Sequence, residues 1–205
     1  MLRLSLLLLC LLQSSAMAES LAVDIYSNEQ LIKLLRDGTY LHRVKADECQ
    51  LVQDIEARAE VLQQPLYQFL WGEMLNQGVC VKQHASRGMA MLRTAAEQGS
   101  AEAMVKLAEY YYQGKLVIKD KERAVQYALP AATNGSIAAQ MMLVRLFSEG
   151  HGSSRDYPLA YHLLYNNVFE DEATQNKALS LLRVLAAKMP TSVVERAQQA
   201  RFSTR

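Results

Sequence analysis

The stretch Ala101-Glu102-Ala103-Met104-Val105-Lys106-Leu107-Ala108-Glu109-Tyr110-Tyr111-Tyr112-Gln113-Gly114 decides the fold. Ala103, Leu107, Ala108 and Tyr111 fall at i, i+4, i+5 and i+8, which places them on one face of an α-helix. Gly114 follows as a residue that accepts the left-handed backbone with which helices commonly end. Asp120 precedes a second run, where its carboxylate can accept from the free amides of a first helical turn. In that run Ala124, Ala128, Ala131 and Ala132 make a narrow face that lets the second helix pack closely on the first. Gly135 closes the unit and Ser136 opens another.

The unit recurs every 36 residues, as residues 65–100, 101–136 and 137–172. Gly78, Gly114 and Gly150 share a column, as do Trp71, Leu107 and Leu143. Met74, Tyr110 and Leu146 align, and Leu75, Tyr111 and Phe147 align beside them. Ala95 and Ala96 sit over Ala131 and Ala132; Gly99 and Ser100 sit over Gly135 and Ser136. Asp120 sits over Asp156, with His84 in the first copy. Two helices of about 12–14 residues and two short loops account for the period. A single hairpin cannot bury its apolar face alone, so three stacked units predict an all-α superhelix, a solenoid with atypical ends.

The ends do differ. Ser27-Asn28-Glu29-Gln30 has the spacing of a capping box opening a helix to about Arg36. Residues 49–62 read as a helix without a clear partner, 175–188 as a further helix, and 192–202 as a last one. Residues 19–64 and 173–205 are therefore expected to be helical caps. Pro130 falls inside a second helix and is expected to kink it.

Residues 1–18 read as a secretory signal peptide: Arg3, an apolar run from Leu4 to Leu12, then Ala16-Met17-Ala18. The run is too short for a bilayer span, which takes about 20 residues. Bulky Leu7, Leu8 and Leu9 before Cys10 argue against a lipid-attachment site. The remaining chain starts at Glu19, carries equal numbers of basic and acidic residues once Arg3 is removed, and is expected to be exported to the periplasm. A nucleic-acid binder needs a basic excess to neutralise phosphates, and none is present.

Export leaves Cys49 and Cys80, an even pair that points to a disulfide, with two buried thiols as the alternative. A bridge would close a loop of about 30 residues and add about 3–4 kcal/mol in the chain-entropy model.

The sequence offers none of the patterns that enzyme chemistry requires. His42, His84, His151 and His162 lack metal-ligand spacing, and His151 and His162 read as solvated. No nucleophile elbow, phosphate loop or dinucleotide fingerprint occurs. Gly150-His151-Gly152 reads as a turn rather than a phosphate cradle, and Glu170-Asp171-Glu172 as a solvated helix terminus rather than an acid–base pair. Tyr157, Tyr161 and Tyr165 repeat every four residues, as core packing or as a stripe for glycan or peptide. No cofactor or metal is expected, and no enzymatic activity.

What remains is recognition. In stacked helix pairs, first-helix residues outside the packing columns line the concave face. By repeat offset these are Phe69, Glu73, Val105, Glu109, Tyr112, Met141 and Arg145, a mix of aromatic, Met and charge that suits a protein partner.

The columns A-x-x-x-L-A-x-x-Y-x-x-G, then Asp, then A-A-x-x-G, resemble the Sel1-like repeat, a relative of the tetratricopeptide repeat. That resemblance implies a fold and says little of function. A second resemblance reaches outside the repeats. Residues 43–47 and 49–59, Gly78-Val79-Cys80-Val81, residues 120–124 and the ending around Met189-Pro190 are similar to the MotX family of flagellar motor proteins, in that family's order. The resemblance implies a periplasmic component of the polar motor's T ring. It would bind a MotY-like ring protein and the periplasmic region of a PomB-like stator, so that stators are anchored and produce torque. The alternative is a generic exported Sel1-repeat scaffold for cell-envelope complexes.

Overall fold

The computed structural model describes residues 26–200; the segment read as a signal peptide and the residues beyond 200, Phe202 among them, lie outside that range. Within it the chain is helical, with no strand among the described residues. Three helices lead in: α1 (Asn28–Arg36), α2 (Tyr40–Ala46) and α3 (Val52–Glu60). Three hairpins follow: α4 (Pro65–Gln77) with α5 (Ala85–Glu97), α6 (Ala101–Gln113) with α7 (Lys121–Thr133), and α8 (Ile137–Ser148) with α9 (Tyr157–Tyr165). α10 (Glu172–Ala186) and α11 (Thr191–Gln199) close the other end, α10 packing on α8 and α9, and α11 on α9.

The repeat columns explain the helix ends. Gly78 and Gly114 cap α4 and α6 in the left-handed conformation, at φ 66° and 75°. Ser100 and Ser136 accept from the Ala103 and Ala139 amides, and Asp120 accepts from Arg123 N at 2.9 Å. In the first unit His84 takes the aspartate's place, its Nδ1 accepting from Arg87 N. The capping box at Ser27 and Gln30 is present. Each hairpin turn also needs a second left-handed residue. Cys80, Leu116 and Gly152, 36 residues apart, sit at φ 61°, 63° and 78°.

The apolar columns point inward. Trp71, Leu107 and Leu143 are buried, as are Ala95, Ala96, Ala131 and Ala132. The core forms two clusters that meet at α6: Ala103, Leu107 and Tyr110 face the lead-in helices and first hairpin, while Ala108 and Tyr111 face the third. The tightest crossing is α4 on α5. A Cβ on Gly72 would lie 2.8 Å from the Gly88 carbonyl oxygen, and one on Gly88 would lie 2.5 Å from that of Gly72. The second hairpin has Ala108 and Ala124 in those columns.

Several expectations need correction. α2 was not foreseen; residues 40–46 form a helix packed on α1 and α4. The second helix of the third unit ends at Tyr165, where loop and the start of α10 take up the remainder to residue 172. A 3-10 turn (Ser154–Asp156), capped by Ser153, replaces its expected first turn, and the Asp156 side chain makes no capping bond. Asp171 instead caps α10, accepting from Thr174 N at 2.7 Å. Pro130 does lie inside α7, on its exposed side, and does not end the helix. His162, expected in solvent, is buried with Nδ1 2.7 Å from the Ala197 carbonyl, because α11 packs over α9.

Gly88→Ala is expected to destabilise the fold by about 1–3 kcal/mol through overpacking, read as a lower thermal midpoint. A change below about 0.5 kcal/mol, the range of a surface substitution, would show that α4 and α5 can separate freely.

Candidate partner-binding surface

The seven residues expected on the concave face divide into two groups. Phe69 and Glu73 are not on an open surface: both are buried, 2% exposed. The lead-in helices cover them. Tyr40 of α2 stands edge-on to Phe69 at 5.3 Å, and its hydroxyl donates to Glu73 Oε2 at 3.0 Å. Tyr110 donates to Glu73 Oε1 at 2.7 Å and Asn76 Nδ2 donates to the same oxygen at 3.0 Å. Burial, then the neighbouring Glu73 carboxylate, pushes both phenols well above the usual tyrosine range, so they stay protonated donors. A buried carboxylate is thus satisfied by three neutral donors from three helices, as a group taken out of water requires. Sequence offset could not reveal this, because the covering helix α2 has no counterpart in the repeats.

Val105, Glu109, Tyr112, Met141 and Arg145 remain half-buried on α6 and α8. Tyr112 is part of the joint between those hairpins. Its hydroxyl donates to Glu149 at 2.6 Å, and Lys121 sits 4.9 Å over its ring while pairing with the same carboxylate at 2.5 Å. Burial opposes ionisation of Glu149, but the Lys121 and Tyr112 bonds outweigh it and hold the carboxyl below its usual range. Glu109 pairs with Lys106 at 2.9 Å, a partly exposed i,i+3 contact of little energetic weight.

Beside this row lies a cleft of about 610 Å³ between α2, the end of α4 and α6. Tyr40, Glu73 and Tyr110 form its floor; Lys45, Lys106, Glu109 and Lys115 stand around it. Sequence reasoning missed it because one of its walls is α2, a helix outside the repeats.

Cys49 and Cys80 are joined, with Cα atoms 5.5 Å apart across 31 residues. The bridge fastens the α2–α3 loop to the α4–α5 turn and so holds the lead-in helices over Phe69 and Glu73. The same corner is locked by α3: Glu60 accepts from Trp71 Nε1 at 2.7 Å and pairs with Arg87 at 2.5 Å.

The remaining motifs fall to structural roles. Gly152 N donates to both oxygens of Glu122, at 3.2 and 3.0 Å, so the glycine turn at 150–152 holds a carboxylate of the chain itself. Tyr157 and Tyr161 are buried; only Tyr165 is exposed, stacked on Tyr161 at 5.7 Å. Among the described residues no group of three or more His, Cys, Asp or Glu is placed to hold a metal, and no helix is long and apolar enough to cross a membrane.

The stacked hairpins and their glycine turns define a Sel1-repeat protein, and the Sel1 repeat model matches residues 65–100, 101–136 and 137–165. A crystal structure of a Sel1 repeat protein from Oxalobacter formigenes is similar: 26% identity, TM-score 0.51, covering 73% of this chain and 98% of that one. The sodium-type polar flagellar protein MotX of Vibrio parahaemolyticus is 40% identical over 187 residues, 91% of this chain and 89% of that protein. The chain belongs to the MotX family of polar flagellar proteins.

Glu73→Ala strands two buried hydroxyls, each unsatisfied group costing about 1–3 kcal/mol, so a loss of about 2–5 kcal/mol is expected in denaturant unfolding. Glu109→Ala on the neighbouring repeat is expected to stay within about 0.5 kcal/mol. Equal effects would mean that the carboxylate of Glu73 is not sealed.

Proposed function

We propose that this chain is a periplasmic adaptor of the polar flagellar motor, a T-ring component that joins a MotY-like ring protein to the periplasmic region of a PomB-like stator. Stators held in this way are anchored and produce torque. The chain acts by binding and carries out no reaction. The observation that carries this reading is the 40% identity with a polar flagellar MotX over 91% of the chain, since the Sel1 repeats alone cover only the middle of that span. The disulfide supports it: such bridges persist in oxidising compartments such as the periplasm. So does the half-buried row of Val105, Glu109, Met141 and Arg145, which continues past the region that the lead-in helices cover. A generic envelope scaffold would share the hairpins without the flanking segments.

Deleting the gene is expected to leave cells flagellated but unable to swim. Complementation with Glu109→Lys combined with Arg145→Glu is expected to leave the protein's level unchanged and reduce swimming at least several-fold. Normal swimming of the deletion strain would refute the motor reading; normal swimming of the double variant alone would refute the role of this face.

A further inference from the structure

The cleft between α2 and α6 has a charge pattern that differs from the chain around it. The chain as a whole is nearly neutral, with 22 basic and 21 acidic residues. Three lysines from three separate elements converge on this one opening: Lys45 from α2, Lys106 from α6 and Lys115 from the turn after it. Neither Lys45 nor Lys115 has a carboxylate partner within ion-pair distance among the described residues. Lys115 is nevertheless placed: its Nζ donates to Gln77 Oε1 at 3.3 Å and lies 5.8 Å from the Tyr110 ring, and Gln77 is itself held by a 2.9 Å bond to the Tyr110 hydroxyl. The one accessible carboxylate, Glu109, is already taken by Lys106. Glu73, the other, is sealed in the floor by three donors and adds no free acceptor at the mouth.

The opening is thus lined by three lysines against two carboxylates, with Lys45 and Lys115 free of ion pairs at the mouth and Glu73 beneath them in the floor. Its floor is fixed, and its volume of about 610 Å³ falls inside the range of about 300–1,000 Å³ typical of ligand sites. Cations around a concavity raise the local concentration of anions and speed their arrival. Its position at the seam between the lead-in helices and the second hairpin makes it continuous with the face assigned to protein recognition. We infer that this cleft receives an acidic peptide segment of a protein partner, whose Asp or Glu side chains pair with Lys45, Lys106 and Lys115. The inference rests on the proposed adaptor role and specifies the chemistry of one of its contacts.

The test uses the purified protein with its disulfide intact and a fluorescein-labelled hexaglutamate peptide, followed by fluorescence anisotropy. Saturable binding is expected, weakened at least tenfold by Lys45→Glu with Lys115→Glu and lowered by raising NaCl from 50 to about 300 mM. Lys177→Glu with Lys188→Glu, exposed positions on α10 and just after it, is expected to change the affinity less than twofold. Thermal unfolding of both double variants checks folding, and the milder Lys45→Gln with Lys115→Gln pair, expected to weaken binding at least threefold, repeats the test if the charge reversal unfolds. Absence of peptide binding overturns the inference. So do equal losses in both double variants, or capture of phosphatidylglycerol vesicles through Lys45 and Lys115 without peptide binding. Any of these results would leave the adaptor role standing, because that role is tested separately by swimming of the deletion strain.

Discussion

A helix hairpin of this length carries apolar residues on more surface than its own two helices can cover, and every other feature of the chain answers that constraint. Stacking satisfies it in the middle: α6 serves two cores at once, with Leu107 and Tyr110 turned one way and Ala108 and Tyr111 the other. The ends have no neighbour and need different solutions. At one end α10 and α11 supply Ala178, Leu182, Leu185 and Ala197 to the second core. At the other, α1 to α3 fold over the first hairpin and are fastened there by a disulfide, the Glu60 contacts to Trp71 and Arg87, and the Tyr40 bond to Glu73.

That second solution has a functional consequence. By covering Phe69 and Glu73 on the first hairpin, the lead-in helices leave the equivalent rows on α6 and α8 half-buried and create a polar cleft along their own edge. The chain thus buries the first unit of the row itself and leaves the later ones half-buried. Glu73, Glu109 and Arg145 share one repeat column, yet the first belongs to the core and the other two to the surface. Three charged residues at equivalent positions therefore differ in burial, a difference set by a helix outside the repeat.

The repeats were legible in the sequence because their physics is local. Glycine after α4 and α6, serine or aspartate before the next helix, and alanine where helices cross each leave a residue type at a fixed spacing. Features were lost where the residue type did not betray the conformation. Cys80 and Leu116 adopt the left-handed turn that Gly152 shows openly, and His84 caps where aspartate was the visible signal. The open face was misread at Phe69 and Glu73 because repeat offset assumes equal exposure in every unit. α2 breaks that equality through contacts between residues more than thirty positions apart, such as Tyr40 with Glu73. His162 was misread for the same reason, its cover arriving from α11.

On the reading proposed above, this scaffold meets its partner through the first-helix face of its second and third hairpins. Site-specific photo-cross-linking in motile cells tests it most directly, with the photoreactive residue at Val105, at Met141, or at exposed Gln126 on the second helix of a hairpin. Adducts to a motor component, identified by mass spectrometry, are predicted from positions 105 and 141 and not from 126. Adducts from 126 alone would contradict the account.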